Sequence, residues 1–179
     1  RRIDHRGIHM EADAIAFDRP GMQVTLNGIA QGYISDRVGA LLKAQGFTHT
    51  LVNLGEGLAL DRKPDGRAWQ IGVPAPDDHD RLVTTIDLSG GAVATSAARG
   101  LLFTPDGRFN HLIDPERLIC AAPDRSVTVL APSAAIADGL STIGARAPDP
   151  VNDLPALLQA HAARAFLIDR GHPQGTWLG

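Results

Sequence analysis

Residues 23–38, Gln23-Val24-Thr25-Leu26-Asn27-Gly28-Ile29-Ala30-Gln31-Gly32-Tyr33-Ile34-Ser35-Asp36-Arg37-Val38, read as a short strand that runs through a glycine-rich turn into a helix. Ile34, Val38, Leu41 and Leu42 recur at helical spacing, and Gly46 stands where a left-handed C-terminal cap is expected. The helix is therefore placed at about 32–45 and the strand before it at 23–26. A glycine-rich turn ahead of a helix N-terminus has two readings. Unpaired N–H groups and the helix dipole there favour an anion, and glycine lets the backbone approach a phosphate. The run from Asn27 to Gly32 matches neither the Walker nor the dinucleotide-binding pattern, so a plain turn is the simpler reading of the residues alone.

Outward from this stretch, residues 47–54 read as a strand, Gly55-Glu56-Gly57 as a turn and the residues through Leu60 as a second strand. Pro64-Asp65-Gly66 is a turn, 69–73 a strand, 74–80 a surface loop and 82–88 another strand. After Gly90-Gly91 comes Val93-Ala94-Thr95-Ser96, then a hairpin pairing 101–103 with 109–113 about Pro105-Asp106-Gly107. Val127-Thr128-Val129-Leu130 is a buried strand, and Ser133 can cap a helix over 134–145. A helix at 154–164 and a strand at 165–168 close the chain. Strands grouped in hairpins with intervening helices predict an α+β fold with mixed, largely antiparallel sheets, as one domain over residues 1–179.

Composition narrows the function classes. Apolar residues at 44% with 21% charged describe a chain able to bury a core. The formal charge is −3 and the Lys and Arg residues are scattered, so the footprint of a nucleic-acid partner is missing. No apolar run approaches the roughly 20 residues of a membrane-spanning helix. Cys120 stands alone, which excludes an internal disulfide and a cysteine metal cage. The chain opens Arg1-Arg2-Ile3 without Met or signal region, as a processed product, an engineered chain or a fragment would.

Two pairs of residues carry possible chemistry. Asp138 and Thr142 lie four apart on the helix at 134–145 and project side by side, opposite Ile136, Leu140 and Ile143. Their neighbours Ala134, Ser141 and Ala145 are small, which would leave room for a ligand. Carboxylate and hydroxyl oxygens suit Mg²⁺, which takes few protein ligands and completes its octahedron with water and phosphate. On the residues alone, an Asp and a Thr on a solvated helix face is the simpler reading of the pair. His111 and Asp114, in His111-Leu112-Ile113-Asp114-Pro115, offer an imidazole and a carboxylate on opposite faces of a strand, or simply a structural histidine.

In their order, these pieces resemble the ApbE family of FAD:protein FMN transferases. The likeness rests on Gly28-Ile29-Ala30-Gln31-Gly32-Tyr33-Ile34-Ser35-Asp36, Val52-Asn53-Leu54-Gly55, Val93-Ala94-Thr95-Ser96, His111-Leu112-Ile113-Asp114-Pro115 and Ala137-Asp138-Gly139-Leu140-Ser141-Thr142. The chain then corresponds to the C-terminal two-thirds of the family domain, without the N-terminal portion that helps hold the flavin. The resemblance implies that the Ala30 carbonyl, Asp138 and Thr142 hold Mg²⁺. It further implies that Gly28, Ile29, Ala30, Gln31, Gly55, Thr95, Ser96 and His111 contact FAD, the substrate. A Thr or Ser hydroxyl of an acceptor protein, from a respiratory or electron-transfer system, would attack the FMN phosphorus as AMP departs. Either His111 or Asp138 would take its proton. The family implies a periplasmic or otherwise extracytoplasmic setting.

Departures from the family pattern keep alternatives open. Asn27 replaces a glycine, Gln31 a lysine, Ala97 a common glycine, and Glu116-Arg117-Leu118 an arginine-threonine-glycine run. Loss of the lysine removes a fixed positive charge from the diphosphate. The alternatives are an FAD-binding accessory protein without transferase activity, a Mg²⁺-dependent FAD pyrophosphatase, and a core whose site is unfinished without the upstream portion.

Overall fold

The structure is a computed structural model that describes residues 4–115, 117–146 and 153–179. In chain order the strands and helices are β1 (Ile8–Met10), β2 (Ile15–Phe17), α1 (Ala30–Ala44), β3 (Leu51–Asn53), β4 (Gly57–Ala59), β5 (Trp69–Ala75), β6 (Asp78–Leu88) and β7 (Gly91–Ala97). They continue with β8 (Ile113–Asp114), β9 (Ile119–Cys120), β10 (Ser126–Ala131), α2 (Ala134–Ala145), α3 (Leu154–Ala160), β11 (Arg164–Ile168) and β12 (Thr176–Leu178).

A six-stranded sheet, ordered β12-β11-β10-β7-β4-β3, forms the centre, and its neighbours all pair antiparallel. Alternation along its strands makes two faces. Ala92 and Ala94 of β7, Val127 and Val129 of β10, and Ala165 and Leu167 of β11 point to the helical side, into one core with Ala134, Ala137 and Leu140. Val93, Phe166 and Ile168 point the other way, against Val73, Ile86 and Leu88 of the β5–β6 hairpin. The fold is thus α+β, with helices on one sheet face and a hairpin on the other.

Two helices meet in a way that sets the site. Helix α1 ends as its sequence predicts: Gly46 takes φ +87°, and the Phe47 N–H reaches back to the Leu42 carbonyl. Ser133 caps α2 by accepting from the Ile136 N–H at 3.3 Å. The first two N–H groups of α2 are satisfied from α1, since those of Ala134 and Ala135 donate to the Asp36 carboxylate at 2.8 and 2.9 Å. This grip demands close approach. A Cβ on Gly32 would stand 2.3 Å from the Ala134 carbonyl oxygen, so only glycine fits where α1 crosses the start of α2.

Several local readings change. Residues 23–26 are not a strand, because the chain there turns directly into α1, with the Ile29 and Ala30 N–H groups bonded to the Leu26 carbonyl. Only Leu51–Asn53 of 47–54 is strand. The predicted loop at 74–80 belongs to the hairpin, because β5 continues through Pro74 at a register shift that tolerates its missing N–H. The hairpin about Pro105 shrinks to the bridge Leu102↔Asn110. Asn110 is fully buried there, and its side chain donates to the carbonyls of Gly107 and Ala121 and accepts from the Leu112 N–H. The last helix stops at Ala160, where Ala162 takes φ +49°.

Leu118 also has a positive φ, +58°, in the turn between β8 and β9. The ApbE-like pattern carries glycine at this position, so the substitution leaves a branched side chain in the left-handed region. Glu116, in the same departure, lies outside the described residues.

Candidate active site

Asp138 is not on a solvated face. It is 5% exposed, because α2 is sandwiched between the sheet and α1. The small residues Ala134, Ser141 and Ala145 are likewise buried, so they pack against protein and leave no room for a ligand. Only the rim of the helix, at Asp138 and Thr142, opens into a cleft of about 710 Å³. Into the same cleft come Gly28 and Gln31 from the start of α1, Thr95 and Ser96 from β7, and His111 from the loop before β8. A second depression, of about 700 Å³ around Ser89, Pro132 and Arg164, contains none of the predicted site residues.

Sequence-distant segments meet here. A Cβ on Gly28 would lie 3.4 Å from Thr142 Cγ2 and 3.7 Å from its Oγ1. The Gly32 N–H donates to Asp138 Oδ2 at 2.9 Å. Three predicted residues do not line the cleft: Ile29, Ala30 and Gly55. Ile29 sits half-exposed ahead of α1, Ala30 opens that helix, and Gly55 lies behind Gln31. Asp114 is buried at the β8–β9 turn, where it accepts from the Arg117 N–H at 3.2 Å.

The hydroxyls beside Asp138 have a fixed polarity. Ser141 Oγ donates to the Asp138 carbonyl at 2.9 Å, which has no proton to return. Ser141 must then accept from Ser96 at 2.8 Å, and Ser96 in turn accepts from Thr142 at 3.3 Å. Each hydroxyl owns one proton, so the chain of donors leaves the Thr142 oxygen with its lone pairs free. His111 is oriented similarly. Its Nδ1 lies 3.2 Å from the Leu101 carbonyl and must carry the proton to bond it, which leaves Nε2 of the neutral ring as an acceptor.

Sequence reasoning missed Glu56. It stands in the β3–β4 turn, lines the cleft and has its Oε2 buried without a hydrogen-bond partner. Burial, reinforced by the negative charge of Asp138, pushes the Glu56 carboxyl up to about 7. Burial also raises Asp138, against the opposing pull of the Gly32 N–H. A carboxylate between two glycines ordinarily reads as a solvent-facing turn residue, so the sequence alone carries no signal for its burial. His79, near the start of β6, also lines the cleft and was likewise missed.

The cleft carries two carboxylates and, among the described residues, no Lys or Arg. The buried unpartnered Glu56 oxygen, the Asp138 carboxylate and the free lone pairs of Thr142 fit a hard divalent cation. No group of three or more His, Cys, Asp or Glu side chains among the described residues could hold a metal.

Comparison with known proteins finds relatives over most of the chain. The profile of the ApbE family matches residues 1–166. A protein of Klebsiella pneumoniae named FAD:protein FMN transferase is 28% identical over 171 residues, covering 90% of the chain and 47% of that protein. The ApbE protein of Thermotoga maritima superposes with a TM-score of 0.83 at 26% identity, over 98% of the chain and 57% of that structure. The apo flavinyl transferase ApbE of Pseudomonas stutzeri has a TM-score of 0.74 at 32% identity, over 98% and 54%. The chain spans about half the length of the curated relatives it matches.

Proposed function

The chain belongs to the ApbE family, and we propose that it carries the cation and pyrophosphate site of an enzyme that moves FMN from FAD onto a hydroxyl of an acceptor protein. The observation that carries this reading is the charge of the cleft. Two carboxylates without Lys or Arg repel a diphosphate unless a divalent cation is held between them.

In this reading the Asp138 carboxylate and Thr142 Oγ1 would hold Mg²⁺, and the carbonyl of Ala30, which opens α1 outside the cleft lining, is left out of the ligand set. When bound, the ion offsets the charge of the pyrophosphate and of the departing AMP. Gly28 lets the substrate come close to α2, because it puts no side chain between Thr142 and the cleft. Gly32 and Asp36 lock α1 to α2, so the carboxylate and the glycine turn keep their separation during the reaction.

Attack of the acceptor Thr or Ser oxygen on the FMN phosphorus forms one P–O bond and breaks the one to AMP. The hydroxyl proton passes to His111 Nε2, the acceptor nitrogen left free by the Leu101 carbonyl. His111 is preferred to Asp138 as base because Asp138 is committed to the Gly32 N–H and to the cation. By the same reading the acceptor is an extracytoplasmic redox protein of a respiratory or electron-transfer chain.

The test is incubation of the protein with FAD, Mg²⁺ and a candidate acceptor, with mass spectrometry of the acceptor and chromatography of the nucleotides. Transfer gives an acceptor heavier by one FMN together with AMP. Free FMN with AMP would replace transfer by hydrolysis, and intact FAD would reduce the protein to a flavin binder.

A further inference from the structure

The β3–β4 turn does more than connect two strands. Gln31 of α1 donates its side-chain amide to the Leu54 carbonyl in this turn, and it fills the space that a Cβ on Gly55 would occupy, 1.6 Å from Gln31 Nε2. Gly55 meets this with φ +112°, a conformation glycine adopts freely. The Gly55 N–H is held in turn by Asn53 Oδ1 at 3.2 Å. The residue that replaces the family lysine therefore clamps the turn against the start of α1, and the next residue, Glu56, is turned into the cleft that holds Asp138.

Glu56 has no structural task that accounts for this placement. Its Oε2 is buried and meets no donor, while most buried carboxylate oxygens are paired. The cleft supplies no Lys or Arg among the described residues, and the nearby Asp138 is of like charge. An ionised carboxylate in that position has no Lys or Arg beside it among the described residues, a gap that a cation from solution would fill.

We propose that Glu56 is a second anionic residue of the cation site, acting with Asp138 and Thr142, so that this cleft binds a divalent cation ahead of any nucleotide. The inference rests on the reading that the cleft takes a divalent cation, and it adds a residue and an order of binding. With two carboxylates the empty site attracts the ion by itself, and the loaded ion then accepts the diphosphate. The positive charge lost at Gln31 is thereby replaced by the cation.

Isothermal titration of MgCl₂ at pH 8 into the protein without nucleotide, and into the Glu56→Gln and Asp138→Asn variants, tests it. The protein is expected to bind one Mg²⁺, Glu56→Gln to bind it about 10–100-fold more weakly, and Asp138→Asn to lose it. A melting curve with and without Mg²⁺ separates this role from a structural one. Metal-free Glu56→Gln melts higher than the parent, because like-charge repulsion is gone, and gains less from added Mg²⁺. Binding by Glu56→Gln within twofold of the parent, with Asp138→Asn deficient, overturns the role of Glu56 and leaves the cation site standing. A parent that binds no Mg²⁺ even with ADP present, or an Asp138→Asn variant that binds normally, overturns the cation reading itself. A Glu56→Gln variant that melts lower, with an undiminished Mg²⁺ response, makes Glu56 structural.

Discussion

Replacing Gly32 by alanine strikes the contact on which the cleft is built. The new Cβ would stand 2.3 Å from the Ala134 carbonyl oxygen, 2.6 Å from its carbon and 2.8 Å from Ala135 Cα, all backbone atoms. Ordinary contact is about 3.5 Å, so the two helices must part by about 1 Å. Such overpacking costs about 1–3 kcal/mol. The same movement strains the Gly32 bond to Asp138 and the two bonds from α2 to Asp36, together worth about 2–3 kcal/mol. Better helix propensity returns about 1 kcal/mol. The net expectation is a loss of about 2–5 kcal/mol by urea denaturation. Gly39→Ala is the control, because its Cβ meets the ends of the Leu58 and Leu60 side chains at 2.5 and 3.0 Å, which can rotate aside. A Gly32→Ala variant no less stable than Gly39→Ala would refute the reasoning.

Asp138→Ala orphans the Gly32 N–H and should cost about 1–3 kcal/mol in thermal denaturation, whereas Asp138→Asn keeps an acceptor, removes the like-charge repulsion with Glu56 and should leave the metal-free protein at least as stable as before at pH 8. Glu56 also makes stability depend on pH. Its carboxyl is raised from 4.5 to about 7 on folding, so the folded state binds more protons in that window and metal-free stability falls as pH rises through it. Full conversion is about 3 kcal/mol, and solvent screening reduces it to about 1–2 kcal/mol. Urea denaturation at pH 5 and pH 8 should show this fall, and Glu56→Gln should flatten it. Leu118→Gly relieves the left-handed strain of an exposed side chain and should stabilise by about 0.5–1 kcal/mol in the same assay. His111→Gln should slow transfer about 10²–10⁴-fold while nucleotide affinity holds, a split visible in kcat against KM.

Much of the frame was legible from local pattern. Ser133 ahead of a periodic apolar run located α2, and Gly46 marked the end of α1. What escaped depends on contacts between distant segments. The spacing of Asp138 and Thr142 puts them side by side, but nothing local says that α1 covers that face and buries the carboxylate. Gly32 reads as one glycine of a turn until Ala134 is found against it. Asn110 looks like a strand residue, yet its buried side chain replaces the backbone pairing of the expected hairpin. Strands of three residues such as β1, β2 and β12 carry too little period-two pattern to be seen alone. Glu56 acquires meaning only once the β3–β4 turn lies beside α2.

The most direct measurement is anomalous diffraction from crystals soaked with Mn²⁺ and ADP, the manganese marking the ion and the nucleotide its diphosphate. One peak is predicted roughly 2 Å from an Asp138 carboxylate oxygen and from Thr142 Oγ1, with the diphosphate on its open side next to Gly28. A nucleotide bound elsewhere, or a manganese peak remote from Asp138 and Thr142, would contradict the account.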